Sequence, residues 1–180
     1  MSINGFIYLD YLLNELSGGD AAASNGPLVH RPTRPIRSTY TDGTTAPNQV
    51  DLIYSVSTTI AASATATYDL GTGGGLTDRY GNALVFAEVV AILLVNRSTT
   101  ATDGLRIGPH TVNGLTGPWV DSSDLNAVAP GASAAKPGIF YIEGPDGYPV
   151  GDGSTDTIRI VENGGANTVS YDLMILGRSA

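Results

Sequence analysis

Cysteine is absent from the chain, lysine occurs once, at Lys136, and tryptophan once, at Trp119. Without a thiol there is no disulfide, no thiolate nucleophile and no cysteine-ligated zinc, and the redox compartment leaves no mark on the sequence. Charge is scarce too. Asp, Glu, Lys and Arg make up 14% of residues, below the ~25% usual in soluble domains, which points to a surface partly covered by partners. The balance is acidic, with a net charge of −8, so nucleic-acid binding, which needs a basic face against phosphates, is not expected. No secretory leader is expected. The start "MSINGFIYLDYLLNELSGGD" places acids where a basic n-region belongs, and synthesis in a cytoplasm is expected.

One hydrophobic run stands out, residues 83–95, broken only by Glu88. A membrane-spanning helix needs ~20 apolar residues, so this run is too short and no membrane partner is expected. Its neighbours favour a strand over a helix. Tyr80-Gly81-Asn82 is a turn signal, residues 96–100 are a polar stop without a capping glycine, and Val85, Val89, Val90, Ile92 and Val95 are β-branched. The reading is one long strand, or two joined by a kink, buried on both faces. Leu84, Phe86, Val90, Ile92 and Leu94 would line one face, with Val85, Ala87, Val89, Ala91, Leu93 and Val95 on the other. Glu88 is then expected at a bend, at an edge, or beside Arg79, Arg97 or Arg106.

What the chain does have is turn-forming residues, with 23 glycines and 10 prolines. Strand candidates are residues 50–57, 60–70, 84–96, 105–108, 138–143, 157–162 and 168–176. They are separated by "GTGGG", "NG", "PDGYPVGDGS" and "NGG". Short strands, turn-rich joins and no amphipathic helix over residues 49–180 predict an all-β body, an antiparallel sandwich of jelly-roll type. Residues 1–48 read as an arm outside that body. Within it, residues 7–16 carry apolar positions at helical spacing, including Tyr8, Leu12, Leu13 and Leu16, and "SGG" follows as a stop. One short helix is predicted there, needing a surface to pack on. Residues 18–48 have no apolar period and read as an extended segment with no structure of its own. Arg31, Arg34 and Arg37, interleaved with prolines, would either be solvated or dock on an acidic protein partner. The arm is expected to contact other chains rather than its own body.

Catalytic motifs fail one by one. Ser133 and Lys136 match S-x-x-K, but Pro137 bars helical geometry at Lys136 and the companion elements are missing. "GASAA" departs from G-x-S-x-G at its last position. Asp152, Ser154 and Asp156, with Asp146 upstream, resemble part of a calcium loop, yet Thr157 stands where the loop needs glycine and Asn163 where it needs glutamate. That leaves an irregular calcium site against a loop whose aspartates bond its own backbone amides. "GTGGG" at 71–75 lacks the Gly-Lys-Ser/Thr of a phosphate loop and reads as a flexible hairpin tip. His30 and His110 lack partners at ligand spacing. Asn96-Arg97-Ser98 is a glycosylation triplet without a secretion signal. Trp119 would either anchor a partner or sugar, or pack under a loop. No enzyme activity, metal or cofactor is expected.

The stretch "YDLGTGGGLTDRYGNALVFAEVVAILLVNRSTT", followed by "LRIGPHTVNG", "APGASA", "PDGYPV" and "IRIVENGGANTVSYDLMILGRSA", resembles a loose group of tailed-bacteriophage virion proteins. The shared pattern is a Leu-Thr-Asp turn with glycine, a long hydrophobic strand ending in Asn96, a Pro-Gly before the next strand, and a final strand from Tyr171 to Gly177. It covers about residues 50–180 and carries over no functional residue. The resemblance implies a structural component of the virion, a capsid decoration or cement protein. Its implied partners are the major capsid protein or another virion protein, and a homotrimer is expected. A tail, neck or fibre-associated role is the alternative, and a carbohydrate-binding jelly roll with Trp119 as platform is the alternative of another class.

Overall fold

The computed structural model describes residues 4–9, 13–15, 28–30, 36–130, 137–163 and 165–180, with side chains from Ser38 onward. Every described element is a strand. They are β1 (Asn4–Leu9), β2 (Leu13–Glu15), β3 (Leu28–His30), β4 (Ile36–Asp42), β5 (Gln49–Val50), β6 (Leu52–Ile60), β7 (Thr65–Asp69), β8 (Glu88–Asn96), β9 (Leu105–Pro109), β10 (Asn126–Val128), β11 (Gly138–Pro149), β12 (Thr157–Glu162) and β13 (Val169–Arg178). Two four-stranded antiparallel sheets, ordered β11-β8-β13-β6 and β10-β9-β12-β7, form a β-sandwich-like body. Both sheets contribute to one core. Ile92, Leu94, Leu173 and Ile175 from the first meet Leu105, Ile107, Ile158 and Ile160 from the second, all at most 1% exposed. Period-two alternation puts these residues on the inner faces, as β12 illustrates with Ile158, Ile160 and Glu162 buried between half-exposed neighbours.

The hydrophobic run is central, as its two-sided apolarity requires. Strand β8 lies between β11 and β13, and the kink is a β-bulge. Val89 pairs with Tyr148 and Gly177, Ala91 with Glu143 and Leu176, and Val90 has no partner on either side. The extra residue exchanges the two faces expected for Val89 and Val90. Val89 joins the inner core with Ile92 and Leu94, whereas Val90 joins Ala91 in a smaller cluster on the outer face. Residues 84–87 lie before the strand. They are held by amides of Leu84, Phe86 and Ala87 donating to Leu76, Leu70 and Arg178 carbonyls. Gly177 lies where this segment crosses β13, and a Cβ there would stand 2.3 Å from the Glu88 carbonyl oxygen.

Two expectations for the N-terminal region change. The helix expected over residues 7–16 is replaced, in the described part of that span, by strands β1 and β2. In so short a segment Phe6, Ile7 and Tyr8 suit a pleated surface, and pairing with β4 over Asn4↔Thr41 to Leu9↔Ile36 satisfies a backbone that a lone short helix could not. The segment expected to be structureless contains β3 and β4, and β4 pairs in parallel with β5 at the start of the body. From Ser38 on it packs on the chain's own sandwich: Tyr40 is 2% exposed.

Candidate interaction surface

Alternation puts Ile139, Tyr141 and Glu143 of β11, Val95, Leu93 and Ala91 of β8, Asp172, Met174 and Leu176 of β13, and Ser57, Ser55 and Ile53 of β6 on the outer face of one sheet. Three cross-sheet rows result. The row Glu143–Ala91–Leu176–Ile53 is covered by Tyr40 and Val50, which pack with Val90, Ala91 and Leu176. The rows Tyr141–Leu93–Met174–Ser55 and Ile139–Val95–Asp172–Ser57 are only partly covered, and Ile139 is 64% exposed.

Two polar devices hold the covering segment in place. At one end Glu143 accepts from Ser38 Oγ (2.5 Å), Tyr40 Oη (2.9 Å) and Tyr141 Oη (2.9 Å), while the two tyrosine hydroxyls lie 3.0 Å apart. Burial, then the hydrogen bond with Tyr141, raise the Tyr40 phenol far above its ordinary range, so it stays a neutral donor. At the other end Arg178, 3% exposed, lies with Nε 2.6 Å from Glu88 Oε2. The approach is close but poorly aligned for a hydrogen bond, and the contact is an ion pair. The guanidinium also donates from Nη1 to the Ala46 carbonyl (2.8 Å) and from Nη2 to the Asp146 carbonyl. Arg178 is therefore the partner of Glu88, in place of Arg79, Arg97 or Arg106. Arg97 instead binds Asp172, with Nε 2.5 Å from Oδ2. Burial opposes ionisation of Asp172, but Ser57 and Arg97 outweigh it and hold the carboxyl below its usual range.

The sequence candidates for partner contact do not converge on one described site. Tyr8 and Arg37 are register partners across β1 and β4, and Leu13 pairs with His30 across β2 and β3. Leu12, Leu16, Arg31 and Arg34 lie outside the described residues, as do Ser133 and Lys136. Trp119 is 9% exposed and stacks on Phe140 with centroids 6.4 Å apart and planes 7° from parallel. It borders a cleft of about 520 Å³ together with Val120, Asp124 and Ile142, but little indole surface is left for a sugar to stack on.

The remaining motifs are occupied by loop architecture. Asp152 accepts from Thr72 N (3.0 Å) and Thr72 Oγ1 (2.7 Å), and Asp156 accepts from Gly153 N and from Thr157 Oγ1 (2.9 Å). Asp146 enters through its carbonyl, which Arg178 binds. Among the described residues no cluster of His, Asp or Glu is arranged to hold a metal. The "GTGGG" turn is tethered rather than free: Asp152 and Asp69 bond it, and a Cβ on Gly74 would stand 1.9 Å from the Asp69 carbonyl oxygen. Asn96 is fully buried and donates to the Asp103 and Val128 carbonyls at 2.8 and 2.9 Å, so its amide is not presented for modification. His110 Nδ1 bonds within its own turn to Val112. No described helix is long and apolar enough to cross a membrane.

Sequence reasoning missed the Tyr40–Tyr141–Glu143 network and the Glu88–Arg178 pair because Tyr40 lies far along the chain from Tyr141 and Glu143, as Glu88 does from Arg178. The one local signal was Glu88 itself, a carboxylate inside an apolar run.

No family model matches the chain. No curated protein matches it. Among solved structures, a chain from "Bacillus endospore appendages form a novel family of disulfide-linked pili" is similar at 17% identity over 77% of this chain and 93% of that one, with a TM-score of 0.37. At that score the likeness carries no argument about what this chain does.

Proposed function

We propose that the protein is a non-enzymatic structural subunit of a tailed-phage virion, a capsid decoration or cement protein whose partner is the major capsid protein or another virion protein. The observation that carries this reading is the outer sheet face. One apolar row is closed by the chain's own strap, while Ile139, Leu93, Val95 and Met174 beside it stay partly in solvent. A contiguous, partly exposed apolar face of this kind supports a role in binding another protein. The strand order supports a jelly roll as the finer description of the body. Strands β6 to β13 divide between two sheets ordered β6-β13-β8-β11 and β7-β12-β9-β10, an eight-stranded, two-sheet arrangement of that type. The low charge fraction and the resemblance of residues 50–180 to virion proteins point the same way.

The test is binding of purified protein to virions produced by the encoding genome after this gene has been deleted from it. Ile139→Glu and Leu93→Glu should leave the body folded and weaken binding by an order of magnitude or more. Undiminished binding by both variants would remove the outer face from the account. A tail or neck location in place of the head would favour the tail-protein alternative.

A further inference from the structure

Of the four outer edges of the two sandwich sheets, three are blunted. Strand β10 has three residues, and β7 has five and carries a charged residue, Asp69. Strand β11 carries Pro145 and Pro149 and a register shift between Glu143 and Tyr148, and the Asn48 amide donates to its Pro145 carbonyl at 3.0 Å. These are the ordinary devices that keep an edge from pairing with another chain. Strand β6 has none of them. It runs nine residues, "LIYSVSTTI", with no proline and no charge, and pairs with β13 without a break from Gly177↔Leu52 to Val169↔Ile60.

The direction of its free backbone groups follows from the ladder. The Arg97 amide donates to the Ser170 carbonyl, so Ser170, Asp172 and Met174 of β13 face β8, and Tyr171, Leu173 and Ile175 face β6. Tyr54, Val56 and Thr58 are therefore bonded to β13, whereas Ile53, Ser55, Ser57 and Thr59 direct their N–H and C=O groups away from the sheet. Among the described residues no strand pairs with that side. The 78–83 loop stands off it across a cavity of about 600 Å³ beside Leu52, Ile53 and Ser55.

We infer that β6 is a strand-pairing edge and that its occupant is β6 of a second copy, antiparallel across a two-fold axis at Val56. With one unblunted sandwich edge per chain, self-pairing satisfies both edges in a single closed contact, the isologous arrangement commonest among homo-oligomers. The outward-facing residues set the register. Ile53 exchanges hydrogen bonds with Thr59 of the second copy and Ser55 with Ser57, while Val56 meets its own counterpart. Charge permits it despite the net −8: β6 carries no charge, Asp51 binds Ser179 N and Oγ, and Asp172 is matched by Arg97. The pairing also covers Leu52, Tyr54 and Val56, which a lone sandwich leaves half-buried. The edge argues for two-fold symmetry rather than the trimer expected from the sequence.

The pairing deepens the assembly reading and rests on it only for its purpose. The absence of cysteine gives a sharp test, because Val56→Cys places one thiol on the axis, at the ~4.5 Å Cα separation of a non-hydrogen-bonded pair that a disulfide can span. Wild-type protein should sediment as a dimer, and Val56→Cys should form a covalent dimer on mild oxidation while Thr58→Cys does not. Ser57→Pro, which removes an outward N–H, and the double variant Ser55→Lys/Ser57→Lys, which sets like charges opposite one another, should both sediment as monomers with unchanged circular dichroism. If the proline variant does not fold, the lysine variant gives the answer. A wild-type monomer across the concentration series, a dimer that survives the lysine substitutions, or a dimer lost only on deleting residues 1–37 would each overturn the proposal. A monomer that still binds virions would refute the pairing alone, and a β6 dimer absent from virions would refute the virion reading alone.

Discussion

Glu88→Gln keeps the size of the side chain and removes its charge, so it isolates what the carboxylate does for Arg178. The guanidinium is 3% exposed, and the substitution leaves it with two carbonyls, Ala46 and Asp146, as acceptors and no counter-charge. Breaking a fully buried pair costs about 3–5 kcal/mol. Glu88 retains 33% side-chain exposure, so water already screens part of the attraction. About 2 kcal/mol is the expected loss after that discount, a fall in Tm of about 4–8 °C at this chain length. Arg178→Met removes the ion pair and also leaves the Ala46 and Asp146 carbonyls unpaired, so about 4 kcal/mol is expected. Urea unfolding of both variants and the double variant, fitted with a common slope, gives the coupling as the departure from additivity. The two sites should couple by at least about 1 kcal/mol. A Glu88→Gln protein within about 0.5 kcal/mol of wild type, the usual range of a neutral surface change, would refute the claim that the pair holds the 43–48 loop, β11 and the C-terminus together.

Ile92→Asp puts an unpaired carboxylate in the core between half-buried Ile142 and fully buried Ile175; the cost is on the order of the whole stability of a domain, about 5 kcal/mol or more, so soluble expression should fail, and wild-type melting would mean the run is not core. Tyr40→Phe deletes the hydroxyl shared with Tyr141 and Glu143 and should cost about 1–2 kcal/mol in urea unfolding, with no loss refuting the network as a fastening. Asp78, Asp121, Asp152 and Asp172 have depressed carboxyl pKa values, so their contribution is present above the unfolded value and lost as pH falls: unfolding free energy should hold steady above about pH 5 and decline below about pH 4. Tyr40, Tyr54, Tyr68, Tyr141, Tyr148 and Tyr171 are raised by burial, so their contribution is intact below the unfolded value and should be lost as pH climbs above about 10. A flat profile at both extremes would contradict these assignments.

The all-β class and most body strands were legible because their signal is local. Alternation in 157–162 and 168–176 and two-sided apolarity in 83–95 correspond to β12, β13 and β8. The bulge was not legible, since one extra residue at Val90 looks like any valine in an apolar run and shows only against Tyr148 and Gly177 on the flanking strands. Strand β10 is three residues long and gives no period. The N-terminal strands were misread because Tyr8, Leu12, Leu13 and Leu16 fall at helical spacing, while the β1–β4 pairing that stabilises an extended backbone is a non-local contact. The candidate interaction surface was hidden for a related reason. Ile139, Leu93 and Met174 come from three strands, and only the register makes them neighbours. The loop aspartates were half legible: their composition raised a calcium site, and their acceptance of Thr72 and Gly153 amides accounts for them as turn fasteners.

The central claim is that this chain is a repeated structural subunit, and electron cryo-microscopy of virions produced by the genome that encodes it is the most direct measurement. The account predicts density for the sandwich in many symmetry-related copies on the capsid lattice, with the Ile139–Leu93–Met174 face buried against a neighbouring protein. Virions whose composition excludes the chain, or a particle in which that face points into solvent, would contradict it.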